Sequence, residues 1–189
     1  MDTATPPGPV ARFLWDADRY ERAVELGIFT PEDPIELIDG ELVPRASPQS
    51  SQHATAGQLT ADALRGVFNE AFFPRQRMPL RLGAASVPEP DLAVVRGGPR
   101  DYVHSHPRTA ELVIEVADSS LVIDRGRKLR LYAREGIPEY WIVNLVDDCV
   151  EVRRRPAGED YAETRVCRRG DTIPTGPHAA PVAVNDLLP

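Results

Sequence analysis

At 189 residues, 42% of them hydrophobic and 27% charged, the chain has the composition of one ordinary globular domain with a real core, which excludes a disordered or fibrous protein. Its net charge of −7 argues against a generic nucleic-acid binder, whose footprint is whole-domain basicity. No apolar run approaches the ~20 residues that cross a bilayer, and the N-terminus lacks a secretory-signal plan; a cytoplasmic protein without membrane contact is expected.

Residues 1–11, rich in Pro, Gly and Thr, predict a flexible N-terminal tail, and residues 12–189 a single domain. From Asp16 to Leu26 the apolar residues Tyr20, Ala23, Val24 and Leu26 fall at helical spacing after an Asp16 cap, and Gly27 stops the run. Ile35–Ile38 and Glu41–Val43 flank Asp39-Gly40, a pair that tolerates positive φ, so an antiparallel hairpin follows. Ala56, Leu59, Ala63, Leu64 and Val67 step by three and four within Gln52–Phe68, the first long helix. Gln76–Leu82 and Asp91–Arg96 read as strands on either side of a Pro/Gly turn, and residues 97–109 as a polar loop.

Glu111–Ala117 (ELVIEVA) is the most apolar strand, and its β-branched residues suit a central, doubly covered position. A helix over Asp124–Glu135, ended by Gly136, leads to the strand Glu139–Leu145, and Val150–Arg155 pairs with it or a neighbour. Strand, helix, strand implies a crossover and a parallel pair within a mixed sheet. From Thr172 onward the chain is Pro-rich, with a short apolar piece over Pro181–Leu188. Cys149 and Cys167 stand isolated, without metal-ligand spacing, and read as packing residues. Basic clusters occur at Arg75/Arg77/Arg81, along Arg125–Arg134, and at Arg153-Arg154-Arg155 with Arg168-Arg169; they serve either a polyanion or acids on neighbouring strands.

Three residues carry candidate chemistry. Asp91 opens one strand, Glu115 lies far along the apolar strand on the face of Val113 and Ala117, and Lys128 lies on the following helix. Lys128 is the only lysine among 22 Lys and Arg residues. Arginine is a broad, permanently protonated cation, whereas lysine is a compact point charge, so a site that steadies water beside a metal can require it. Two carboxylates on adjacent strands suit a hard cation such as Mg²⁺, with waters and a substrate phosphate completing its shell. Each residue also has an ordinary reading: a turn for Pro90-Asp91, an arginine pair for Glu115, a solvated helix face for Lys128.

In this order the sequence resembles the PD-(D/E)XK nuclease superfamily, and more closely its Uma-two family of restriction endonuclease-like proteins. The carriers are YERAVELGIF, IELIDGELVPRASPQSSQH, PEPDLAVV, ELVIEVADSS and DRGRKLRLYAREGIPEYWIVN, over roughly residues 13–188. In the general superfamily the lysine stands two residues after the strand acid, a place held here by Ala117; Lys128 matches a lysine displaced onto the next helix. ADSS replaces a proline-containing turn, and Asn144 stands where an aspartate is frequent.

The resemblance implies an α/β, restriction endonuclease-like fold: a mixed central sheet flanked by helices, with an N-terminal hairpin. It implies a metal-dependent endonuclease acting on DNA. Asp91 and Glu115 would hold Mg²⁺, or Mn²⁺ in its place, Lys128 would position the nucleophile, and Glu41 and His53 would support the site. A homodimer addressing both strands is compatible with this reading. Two alternatives use the same residues: a non-catalytic nucleic-acid or protein-binding module, and a phosphodiesterase for small nucleotides.

Overall fold

A computed structural model of the chain describes residues 12–45, 50–68, 70–175 and 180–189. The tail expected over residues 1–11 lies outside them. Helix α1 (Ala17–Glu25) opens where Asp16 accepts a hydrogen bond from the Arg19 amide at 2.8 Å, the cap its sequence predicts. The hairpin of β1 (Ile35–Ile38) and β2 (Glu41–Pro44) turns through Asp39 and Gly40, at φ of 53° and 77°. A Cβ on Gly40 would lie 3.0 Å from both the Leu14 side chain and the Trp15 carbonyl, so glycine meets a steric as well as a conformational need. Helix α2 (Ser51–Arg65) is capped by Ser50, whose Oγ accepts from the His53 amide at 3.1 Å.

The six-stranded sheet takes the order β3 (Phe72–Gln76), β4 (Leu92–Arg96), β5 (Leu112–Ala117), β6 (Glu139–Asn144), β7 (Cys149–Ala157), β8 (Asp160–Arg168). Only β5 and β6 run parallel, joined by the expected helical crossover; the other neighbours are antiparallel. A two-stranded ladder of β9 (Thr172–Ile173) and β10 (Val182–Ala183) follows. The fold is thus mixed α/β. On one sheet face Leu112, Ile114, Val116 and Trp141 pack with Ala56, Ala61 and Leu64 of α2 and with Leu187 and Leu188. On the other, Ala93, Val113, Ala117 and Ile142 pack with Leu129, Leu131 and Tyr132 of the crossover and with Ile38 and Val43 of the hairpin. Burial of β5 on both faces explains its apolar run, interrupted only by Glu115.

Three elements depart from the pattern reading. The strand expected at Gln76–Leu82 lies earlier, at Phe72–Gln76, on the sheet edge where Pro74 deprives no inner ladder of a donor. Leu80 and Leu82 are buried, but their amides bond the carbonyls of Pro88 and Ser86 in a loop, so the alternation reported burial rather than a ladder. Strand β8, largely exposed, pairs along nearly the whole of β7. Finally, the crossover helix comprises α3 (Leu121–Ile123), a π-helical turn Asp124–Lys128, and α4 (Leu129–Arg134).

Candidate active site

Glu115 is the one carboxylate inside β5, on the face that meets α4. The antiparallel register pairs Leu92 with Ile114, and continuing it by one residue sets Asp91 opposite Glu115. The Val116 amide donates to Asp91 Oδ2 at 2.8 Å, which ties the Asp91 side chain to the neighbouring strand. His53, on the first turn of α2, brings Nε2 to 3.4 Å from the same oxygen. Ser50 caps that turn and also donates to Asp118 at 2.8 Å, so the ADSS segment after β5 is tied to the start of α2.

The π-helical turn supplies the rest. Its wider i→i+5 spacing departs from the α-helical register at the point where Asp124 and Lys128 both become buried, and such turns concentrate at functional sites. Lys128 Nζ lies 3.0 Å from Glu115 Oε1 and 3.3 Å from Glu36 Oε1. Tyr132, one turn further on, donates to Glu115 Oε1 at 2.7 Å. Glu36 Oε2 accepts from the Glu89 amide at 3.0 Å, and Ser120 donates to Asp124 at 2.5 Å. These side chains enclose a cavity of about 40 Å³ lined by Glu36, Glu89, Asp91, Glu115 and Asp124 together with Lys128, Arg45, Arg77 and His53.

Carboxylates therefore outnumber permanent cations, and the titrations are displaced accordingly. Burial, then the charges of Asp124, Asp91 and Glu36 against that of Lys128, push the Glu115 carboxyl well above its ordinary range. Burial, opposed mainly by Lys128, raises Asp124 to about 6. Burial alone would lower the Lys128 ammonium, but Glu115, Glu36 and Asp124 prevail and hold it protonated. Burial likewise lowers His53, yet the bond to Asp91 and the charges of Asp91 and Asp118 leave it raised.

Asp91, Glu115, Lys128 and His53 thus line one cavity. Glu41 stands apart from its lining, half exposed and ion-paired to Arg12 and Arg127 at 3.0 Å each. The glutamate that the hairpin contributes is Glu36, two residues into the IELI strand, and the legible signal was a charge amid apolar neighbours, as at Glu115. Asn144 is buried away from the cavity lining, donating to Asp147 and Glu151 and accepting from the Val146 and Asp147 amides. Ala117 is core. Much of the basic surface is consumed by acids: Arg81 by Asp18 and Glu21, Arg125 and Arg153 by Glu151, Arg154 by Glu139, Arg169 by Asp148.

The model of the Uma2 family, described as "putative restriction endonuclease", matches residues 17–182. The chain belongs to the Uma2 family. A crystal structure described as a putative nuclease, from Anabaena variabilis, superposes with a TM-score of 0.70 at 17% identity, covering 86% of this chain and 94% of that one. At that identity the likeness speaks for the fold alone. No curated protein matches. Among the described residues, no helix is long and apolar enough to cross a membrane.

Of the side chains that line the cavity, Asp91 and Glu115 are the pair of oxygen donors that a divalent cation would use together with waters. Among the described residues, no group of three or more His, Cys, Asp and Glu side chains is arranged to hold a metal by itself. Two carboxylates with water and substrate oxygens are what Mg²⁺ ordinarily accepts, because it gives up its hydration shell reluctantly. The protein donors converge on Asp91 Oδ2 and Glu115 Oε1, so each carboxylate is oriented through one oxygen while its second is bonded to no donor among the described residues.

Proposed function

We propose that this Uma2 protein is a divalent-metal-dependent endonuclease that hydrolyses DNA phosphodiesters, with residues 12–189 working as one domain. One observation carries the reading: the chain's only lysine is buried within 3.0 Å of a strand carboxylate that the sheet register sets opposite Asp91. Asp91 and Glu115 would hold Mg²⁺ or Mn²⁺. When bound, the cation supplies Lewis acidity toward a phosphate oxygen and acidifies a water.

The protein's own part is positioning. Val116 and His53 fix the rotamer of Asp91, and Tyr132 and Lys128 fix that of Glu115. Kept protonated by three acids, Lys128 serves as a fixed cationic donor toward the attacking water or the phosphate rather than as a base. The cavity has room for about one water, which limits the positions from which attack can come. A homodimer would present two such sites to the two strands of a duplex.

The test is cleavage of plasmid DNA, oligonucleotides and cyclic dinucleotides with Mg²⁺, with Mn²⁺ and with a chelator. DNA cleavage that needs the metal and disappears in Asp91→Ala and Glu115→Ala supports the reading. Cleavage of cyclic dinucleotides alone would replace the substrate, and inertness toward all three would leave a binding module.

A further inference from the structure

Most of the basic clusters dissolve into ion pairs, but Arg75 does not. It sits on edge strand β3, opposite Ala93, and only 7% of it is exposed. Among the described residues no carboxylate pairs with its guanidinium, no group accepts a hydrogen bond from it, and its Nε is buried without a partner. Its closest electrostatic companion is the Tyr102 ring, whose centroid lies 5.3 Å from the guanidinium carbon. The Tyr102 hydroxyl is anchored by donating to the Arg96 carbonyl at 2.8 Å, and Phe73 packs beside the ring at 6.1 Å. Desolvating a cation without a counter-ion is costly, and an anion entering from the adjoining cavity would offset that cost.

A cavity of about 460 Å³ opens beside these residues, lined by Arg75, Tyr102, Phe73, Gln76 and Met78 among others. Two residues along the chain, Arg77 lines the catalytic cavity. Through the extended Gln76 the Cα atoms of Arg75 and Arg77 stand about 7 Å apart, comparable with the step between neighbouring phosphates of one nucleic-acid strand, and Arg77 itself turns out of the strand at a φ of 48°. The residue types fit as well: an arginine fork recognises phosphate oxygens, and an aromatic face beside it stacks on a base.

Resting on the nuclease reading, we propose that Arg75, backed by Tyr102, forms a phosphate subsite that holds the substrate strand at a linkage adjacent to the one cleaved. Arg75 is a positioning residue in this scheme: it touches the strand away from the reacting atoms. The acidic net charge of the chain accords with few, built phosphate contacts rather than a broad basic surface.

The experiment reads binding and cleavage separately. Binding of a DNA strand is measured by fluorescence anisotropy in chelator, with single neutral methylphosphonate linkages placed along it. The wild type is expected to lose about tenfold affinity at one linkage next to the scissile position. Arg75→Gln is expected to lose about tenfold on the unmodified strand, to show no further loss at that linkage, and to lower the salt slope by about 0.7, one phosphate's worth. Arg75→Lys should recover part of the affinity, and the linkage scan on the wild type needs no variant to fold.

A second arm follows melting in inorganic phosphate and a mononucleotide. Stabilisation of the wild type but not of Arg75→Gln, with strand binding indifferent to residue 75, would keep an anion site and reassign it to a small phosphate compound. Equal strand affinity and equal phosphate response in wild type and Arg75→Gln overturns the subsite, even in a protein that cleaves DNA. Loss of binding in Arg75→Gln by a protein that never cleaves overturns the nuclease reading and spares the subsite.

Discussion

The ammonium of Lys128 and the carboxylate of Glu115 meet at 3.0 Å inside the protein, their side chains 9% and 4% exposed, with Glu36 a further partner at 3.3 Å. A compact cation satisfies both acids in a space with about 40 Å³ to spare. Lys128→Arg brings a larger, planar head into this space. Overpacking should cost roughly 1–3 kcal/mol in urea denaturation. Displacement of a positioned donor by about 1 Å should cost ~10²-fold in cleavage rate, with Mn²⁺ affinity changing far less. Arg130→Lys on the same helix, an exposed position, should leave both unchanged. Wild-type cleavage by Lys128→Arg would make the lysine an accident of composition.

Crowded carboxylates also set a pH dependence for metal binding. Glu115 is pushed well above its ordinary range by burial and by neighbouring acids, and Asp124 rises to about 6. A divalent cation must therefore compete with protons. Calorimetry of Mn²⁺ binding in buffers of different ionisation enthalpy should detect proton release, and affinity should climb as pH rises from 5 to 8. A buffer-independent enthalpy and flat affinity would mean that the acids are already ionised without metal.

Asp124 carries a stability consequence with a definite sign. Its folded pKa, about 6, exceeds the ordinary 3.8, so the folded chain keeps this proton over a range where the unfolded chain has lost it. Stability from this group is therefore present below pH 4 and falls as pH rises to 6, by about 3 kcal/mol for a shift of this size. Asp124→Asn retains an acceptor for Ser120 and removes the titration. The variant should match the wild type near pH 4 and exceed it by up to that amount at pH 7, read by urea midpoints; a gap that does not grow with pH would refute the assignment.

Legibility in the sequence divided along a physical line. The hairpin was readable from its Asp-Gly turn, α2 from its helical period, and β5 and β6 from their apolar runs, while Asp91, Glu115 and Lys128 were singled out as an acid opening a strand, a charge inside an apolar run and the only lysine of the chain. Strand β8 was not, because an exposed edge strand has little burial to record. The π-helical turn was not, because its i→i+5 bonding leaves no composition of its own. That Arg75 is buried without an acid beside it among the described residues is tertiary information, and the local sequence FFPRQ gives no hint of it.

The hairpin's two glutamates differ: the resemblance pointed to Glu41, whereas Glu36, a charge amid the apolar residues of IELI, is the one that packing brings to the cavity. Glu41 is half exposed, and Arg127 foremost, then Arg12, hold its carboxyl below the ordinary range from the surface. Glu36 is 2% exposed, accepts from the Glu89 amide, and supports Lys128. Glu41→Gln removes two screened pairs and should leave both the urea midpoint and cleavage near wild type. Glu36→Gln leaves Lys128 with one fewer acid and frees it to shift toward Glu115, so cleavage should fall about tenfold or more through kcat rather than KM. The same change removes a negative charge that helps raise Glu115, so the pH at which Mn²⁺ affinity is half-maximal should move down. A slower enzyme with an unmoved midpoint would assign Glu36 a packing role; a lowered midpoint with the kcat loss identifies it as the support that holds the lysine in place.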